Sequence, residues 1–181
     1  FGEYIDQIDS SQLQLEIWNG KARMENLKIT KNALAAHNLP FIVNKGTVGS
    51  ISLVFPWGRL GSEPCIVNID DVYIVASVST DIIIYNDFKT NKDVEKLHKE
   101  EEPVSEGGTF ASVISQIMDN LQFHIKNVHI RIELNDSIVA LGVTVSSIKA
   151  FSVNEVLDYA FVPQDSPILR KKVEISDLSI Y

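Results

Sequence analysis

The chain has 181 residues, enough for one large domain or one domain with part of another. Apolar residues make up 45%, as in ordinary folded proteins, and no apolar run approaches the ~18 residues of a membrane span. A formal net charge of −8 argues against a sequence-independent hold on nucleic acid and against a strongly polybasic membrane anchor.

Most of the chain reads as strand. Residues 12–18 alternate, with Leu13, Leu15 and Ile17 on one side and Gln14 and Glu16 on the other, and Asn19-Gly20 follows as a strong hairpin signal. Residues 21–29 form the expected return strand. Residues 32–37 read as a short Ala-rich helical turn ended by Pro40. Two long strands are expected over 41–54 and 65–76, separated by Phe55-Pro56-Trp57-Gly58, where proline and glycine break the ladder. Trp57 reads either as a packing pin for that loop or as a functional contact, with the pin favoured. Residues 81–85 form a short apolar strand. Residues 89–102 are charged and read as a solvated helix or loop, and 103–108 as a breaker-rich linker.

Thr109 has the character of an N-cap. Phe110, Val113, Ile114, Ile117, Met118 and Leu121 follow at helical spacing, so 109–121 is expected as an amphipathic helix. Its apolar stripe would cover the sheet as a lid, or else face a membrane or a partner. Residues 122–134 form a long strand with Phe123, Ile125, Val128, Ile130 and Ile132 on the apolar side and His124, His129, Arg131 and Glu133 on the polar side. Strands over 137–151 and 173–181 follow, with an irregular stretch at 153–170 broken by Pro163 and Pro167.

A six-residue pattern recurs along these strands: apolar, two polar or small residues, apolar, any residue, apolar. It appears as Met24-Glu25-Asn26-Leu27-Lys28-Ile29, Val48-Gly49-Ser50-Ile51-Ser52-Leu53 and Ile69-Asp70-Asp71-Val72-Tyr73-Ile74. It returns as Ile125-Lys126-Asn127-Val128-His129-Ile130, as Ile175-Ser176-Asp177-Leu178-Ser179-Ile180, and more loosely as Val145-Ser146-Ser147-Ile148-Lys149-Ala150. About two or three matches would arise by chance. In a strand, residues three apart fall on opposite faces. One extra residue, as in a β-bulge, returns both apolar halves to one face and bends the strand. Hairpin turns are the competing reading, but only Gly49-Ser50 has suitable turn chemistry.

The fold class expected is mainly β (α+β): a strongly curved antiparallel sheet forming a scoop or trough, with an apolar concave face partly covered by a few helices. Some seven strands at about 4.8 Å spacing make a sheet roughly 30 Å wide, whereas a helix is about 10 Å wide. Such a sheet closes, folds into a sandwich, or leaves apolar surface open. The residue pattern alone leaves both the filled and the open form standing.

No catalytic constellation is present. His37, His98, His124 and His129 make no ligand set, no phosphate-binding glycine loop exists, and Cys65 has no evident base. Neither a metal, a cofactor nor an enzymatic activity is expected. A single cysteine permits no internal disulfide, which favours a cytosolic setting and an unused sequon at Asn135. The chain opens on Phe1 rather than Met, so a preceding segment is expected.

Ser11-Gln12-Leu13-Gln14-Leu15-Glu16-Ile17-Trp18-Asn19-Gly20, Glu25-Asn26-Leu27-Lys28-Ile29 and Asn32-Ala33-Leu34 resemble the start of a chorein domain. So do Pro40-Phe41-Ile42-Val43, Gly46, the second hexad and Pro56-Trp57. Together they are similar to the N-terminal domain of the vacuolar protein sorting-associated protein 13 (chorein) family of bridge-like lipid transfer proteins. The dense match covers 2–74 and a looser one 110–133; the linker near 89–108 is short for that family.

The resemblance implies a scoop at the N-terminal end of a long grooved rod. That rod carries glycerophospholipids between membranes at organelle contact sites. It implies a cytoplasmic protein with peripheral contact to membranes, the endoplasmic reticulum on the N-terminal side and an endosome, vacuole or mitochondrion on the other. Further chain would follow, no nucleic acid would be bound, and adaptor proteins stay unnamed. The groove-floor candidates are Leu15, Ile17, Leu27, Ile29, Ile51, Leu53, Val72, Ile74, Phe123, Ile125, Val128 and Ile130. The competing reading is a structural or protein-interaction β domain with a filled core and no lipid cargo.

Overall fold

The computed structural model describes residues 4–6, 12–31, 33, 39, 41–78, 109–134, 139–164 and 166–181. The described strands form one open sheet. They are β1 (Leu13–Glu16), β2 (Lys21–Lys28), β3 (Phe41–Val54), β4 (Ile66–Val78), β5 (Gln122–Leu134), β6 (Val139–Ser152), β7 (Lys171–Ser176) and β8 (Ser179–Ile180). One helix, α1 (Thr109–Asp119), precedes β5. Spatial order follows chain order from β1 to β7, and β8 also pairs with β6, so β7 and β8 are two halves of one edge strand. Neighbours are antiparallel except β4 and β5, which run parallel. A parallel neighbour needs a crossover rather than a hairpin, and α1 lies within that connection.

The strand expected over 12–18 is shorter. β1 stops at Glu16, paired with Lys21, and a single 3-10 turn (Ile17–Asn19) leads into Gly20. The four-residue connection takes Ile17 out of the alternation. Gly20 has φ +63, and a Cβ there would collide with the Phe55 carbonyl, so only glycine fits. Of the turn expected over 32–37 only residue 33 is described, and the segments expected at 81–85, 89–102 and 103–108 lie outside the described residues.

Five non-glycine residues have left-handed φ: Asn26, Asp71, Asn127, Leu157 and Asp177. Four of them are the third residue of a hexad. The ladder registers place Asn26 opposite Gly49, Gly49 opposite Asp71, Asp71 beside Asn127, Asn127 opposite Ser146 and Ser146 opposite Asp177. The extra residues therefore form a single row across the sheet from β2 to the β7–β8 edge. This differs from an ordinary bulge, which sets two residues against one. Here each strand from β2 to the β7–β8 edge carries the extra residue, and pairing resumes beyond the row without a slip. The left-handed residue falls on alternate strands where neighbours are antiparallel and on both strands of the parallel pair.

The row is a crease. Side chains three apart across it share a face, and the strands bend together. Asn and Asp tolerate left-handed φ better than other non-glycine residues, which explains the residue types at the four positions. Asn127 Nδ2 donates to Asp71 Oδ1 at 2.8 Å. Gln12 Nε2 donates to the Glu25 and Asn26 carbonyls, at 3.1 and 2.7 Å. Gly49 lets the Asp71 side chain cross the row, at 2.9 Å from where a Cβ would stand.

Two small cores sit on one face. Ile5, Leu27 and Val48 pack with Met24, Ile51, Ile69 and Val72, and Val43, Ile74 and Ala76 pack with Phe41, Ile29 and Ile130. Every extensive contact between strands joins hydrogen-bonded neighbours, and among the described residues no second sheet faces the first.

Candidate functional site

Cross-strand partners share a face, so the registers assign every strand residue to one of two surfaces. The first carries Leu13 and Leu15 on β1; Ala22, Met24 and Leu27 on β2, with Ile29 just beyond; and Val48, Ile51 and Leu53 on β3. It continues with Val67, Ile69, Val72, Ile74 and Ala76 on β4, and Phe123, Ile125, Val128, Ile130 and Ile132 on β5. Leu141, Val143, Val145, Ile148 and Ala150 on β6 follow, then Val173, Ile175 and Ile180. Away from Gly46, and from Ser152 and Lys171 at the end of β6 and β7, the strand residues placed on this face carry apolar side chains. The opposite face carries Gln14, Glu16, Arg23, Lys28, Asn68, Asp70, His124, Lys126, His129, Arg131, Lys149 and Glu174.

Eleven of the twelve groove-floor candidates lie on the apolar face. The twelfth, Ile17, sits in the 3-10 turn beyond β1, and its side chain lies outside the described residues. Met24, Val48, Val67, Ile69 and the whole β6 contribution share the face without having been singled out. The signal that would have found them is the hexad itself, read in register across strands.

The apolar face is the inside of the curve. The row beside the crease runs Leu27, Val48, Val72, Val128, Val145, and four of these five are fully buried, with Leu27 only 1% exposed. Leu27 and Val48 pack with Ile5 and with Met24, Ile51, Ile69 and Val72 of the same face. The residues of the crease itself, Asn26, Asp71, Asn127 and Ser146, are exposed on the outside. Away from the crease the same apolar face opens to solvent at Leu13, Leu15, Phe123, Leu141, Val173 and Ile175, reaching 66% at Ile180. A contiguous exposed apolar surface of this kind marks a binding surface.

The helix does not close it. Val113, Ile114 and Met118 of α1 are exposed, so its stripe does not lie flat on the sheet as a lid would. An open cleft of about 500 Å³ lies where β2 meets β3, lined by Ile29, Val43 and Gly46 together with Lys28, Lys31 and Lys45.

The outer face has its own order. His129 Nε2 and the Tyr181 hydroxyl are 2.7 Å apart, and Tyr73 meets His129 edge-on at 5.2 Å. Arg131 is held charged by its hydrogen bond to Glu133 and by Tyr181. Burial, then the ammonium groups of Lys149 and Lys126, hold His124 below the ordinary imidazole range. Burial pushes the Cys65 thiol up, consistent with a small apolar core residue. Among the described residues no group of three or more His, Cys, Asp or Glu side chains is placed to hold a metal ion. No described helix is long and apolar enough to cross a membrane.

A sequence profile of the VPS13-like family N-terminal region matches residues 1–181. The chain belongs to the VPS13-like family. It is 34% identical to the intermembrane lipid transfer protein VPS13 of Chaetomium thermophilum, over 99% of this chain and 6% of that protein. It is 30% identical to the intermembrane lipid transfer protein tipC of Dictyostelium discoideum, over 99% of this chain and 5% of the relative. Mouse intermembrane lipid transfer protein VPS13A is 27% identical over 99% of the chain and 6% of its own length. The chain thus spans only about one-twentieth of these VPS13 relatives. The first match extends over 203 aligned positions against 181 residues, so that VPS13 protein carries residues within the match that this chain lacks.

Proposed function

We propose that the apolar face holds the acyl chains of glycerophospholipids and that the chain is one module of a VPS13-type conduit for lipid between membranes. The observation that carries this reading is the inner face from β1 to β8: it carries apolar side chains on every strand, it is concave, and it stays open to solvent at Leu13, Leu15, Phe123, Leu141, Val173 and Ile175. Burying hydrocarbon against it yields about 0.8 kcal/mol per CH₂, so about ten buried acyl carbons, fewer than one acyl chain holds, supply micromolar binding without any polar anchor. The same lack of polar side chains gives weak discrimination between headgroups, which stay in water at the rims. The names of the relatives support the same reading, as does their length, since a floor open at the β8 edge suits continuation by further strands. On this reading the protein works at contact sites between organelle membranes, touching them peripherally.

A lipid-bearing trough is tested by purifying the chain, extracting it with organic solvent and identifying phospholipid by mass spectrometry. Stoichiometric phospholipid of mixed headgroup is expected. Lipid-free protein that takes up no fluorescent phospholipid contradicts the reading and favours a β domain that binds protein.

A further inference from the structure

Four connections emerge at the same end of the sheet. They follow β1 (17–20), follow β3 (55–65), precede β5 (120–121) and follow β6 (153–170), as the pairs Glu16↔Lys21, Val54↔Ile66, Ile66↔Gln122 and Ser152↔Lys171 require. Large apolar side chains stand at their tips: Trp18 is 98% exposed, Val156 72%, Trp57 60% and Leu157 57%, with Ile168 and Leu169 exposed beside them. These are not floor residues. They stand beyond the last strand pairs, and Trp57 also packs against Phe55, with ring centroids 4.2 Å apart, while keeping 60% of its surface exposed.

The tips are held in place. Phe55 N donates to the Gly20 carbonyl at 2.6 Å, joining the first two connections. Gln122 N donates to the Cys65 carbonyl at 2.9 Å, joining the second to the third. Asn120, 3% exposed, donates to the Val162 carbonyl at 2.9 Å and accepts from Val162 N at 2.7 Å, joining the third to the fourth. Three of the four buried polar residues of the described chain, Asn120, Gln122 and Ser152, lie at this end. Within the fourth connection Asn154 Oδ1 accepts from the N–H groups of both Val156 and Asp158 at 3.0 Å, which fixes Leu157 at φ +64. A branched apolar side chain in that conformation is strained, and such strain concentrates at functional positions.

We infer that this rim is a membrane-docking edge, with Trp18, Trp57 and the Val156-Leu157 tip inserting among the headgroups of a zwitterionic bilayer. The inference rests on the trough reading, since the rim borders the apolar floor and would deliver lipid straight onto it. Separate rigid tips suit a deformable headgroup layer better than a matching protein groove, and indole rings favour the bilayer interface. The charges here balance: Arg59 pairs with Glu63 and Arg170 with Glu155, while Lys171, which donates to the Asp119 backbone carbonyl, is offset by Asp158 beside the Val156-Leu157 tip. The edge therefore offers an anionic surface no net attraction, and binding depends little on salt.

Trp18 and Trp57 are the chain's two tryptophans, so its indole emission reports the edge directly. With phosphatidylcholine vesicles the emission should shift to shorter wavelength, be quenched by brominated acyl chains, and the chain should float with the vesicles. Val156→Ser with Leu157→Asn should weaken vesicle binding about tenfold or more while leaving extractable lipid unchanged. Asn is compatible with left-handed φ, so this variant retains the turn. Vesicle binding by a chain that yields no lipid would count against the trough and not against the edge. Equal vesicle binding by the variant, or a lipid-loaded chain that neither floats nor shifts its emission, overturns the docking edge.

Discussion

At the scale of single residues, the crease and the rim depend on backbone conformations that few side chains accept. Asn127 sits at φ 53 with its amide on Asp71. Asn127→Val places a β-branched residue in that conformation and deletes the hydrogen bond, so a loss of about 2 kcal/mol is expected from urea denaturation. Leu157→Gly removes strain at an exposed tip and should stabilise by about 1 kcal/mol in the same measurement. His124 supplies a pH dependence whose sign follows from its depressed pKa. Below about 6.5 the unfolded chain takes up a proton that the folded chain resists. That part of the stability is fully present above the unfolded pKa and is lost as pH falls through the folded one. His124→Gln should flatten this component of the urea midpoint between about pH 7.5 and 5.5. An unchanged slope would show that the imidazole is solvated in the fold.

At the scale of elements, the two kinds of floor position separate folding from binding. Leu27 is 1% exposed beside the crease, and Leu27→Ala should cost about 3 kcal/mol by cavity formation. Leu141 and Ile175 lie on the same face but are half exposed. Leu141→Asp with Ile175→Asp should leave the circular dichroism spectrum and melting intact while the extractable phospholipid falls. Ile74 is a poorer probe, because it lies in a buried cluster where an aspartate would unfold the sheet. Much of this was legible in the sequence. β3 and β5 end where the alternation and the breakers place them, and the hexads mark the crease on every strand that crosses it. Three features were not legible. Ile17 leaves the strand because the β1–β2 connection takes four residues rather than two, which turns on the close approach of Gly20 to Phe55. The parallel pairing of β4 with β5 is a tertiary choice that no local pattern encodes. The exposed stripe of α1 has the same periodicity as a packed one.

At the scale of the molecule, curvature, amphipathicity and openness have one origin. A row of extra residues, aligned from Asn26 to Asp177, bends each strand that crosses it at the same height and keeps apolar positions on the inner side. A sheet bent this way cannot flatten against a partner sheet without leaving a void, and hydrocarbon chains conform to such a trough where a rigid second layer would not. The central claim is therefore about faces: lipid lies on the inner surface and nowhere else. The most direct measurement is photocrosslinking with a phospholipid carrying a diazirine on its acyl chain, followed by peptide mapping. Adducts are expected on Phe123, Leu141, Val143 and Ile175, and none on His129, Arg131 or Lys149. Adducts shared equally between the two faces, or confined to the outer one, would contradict it.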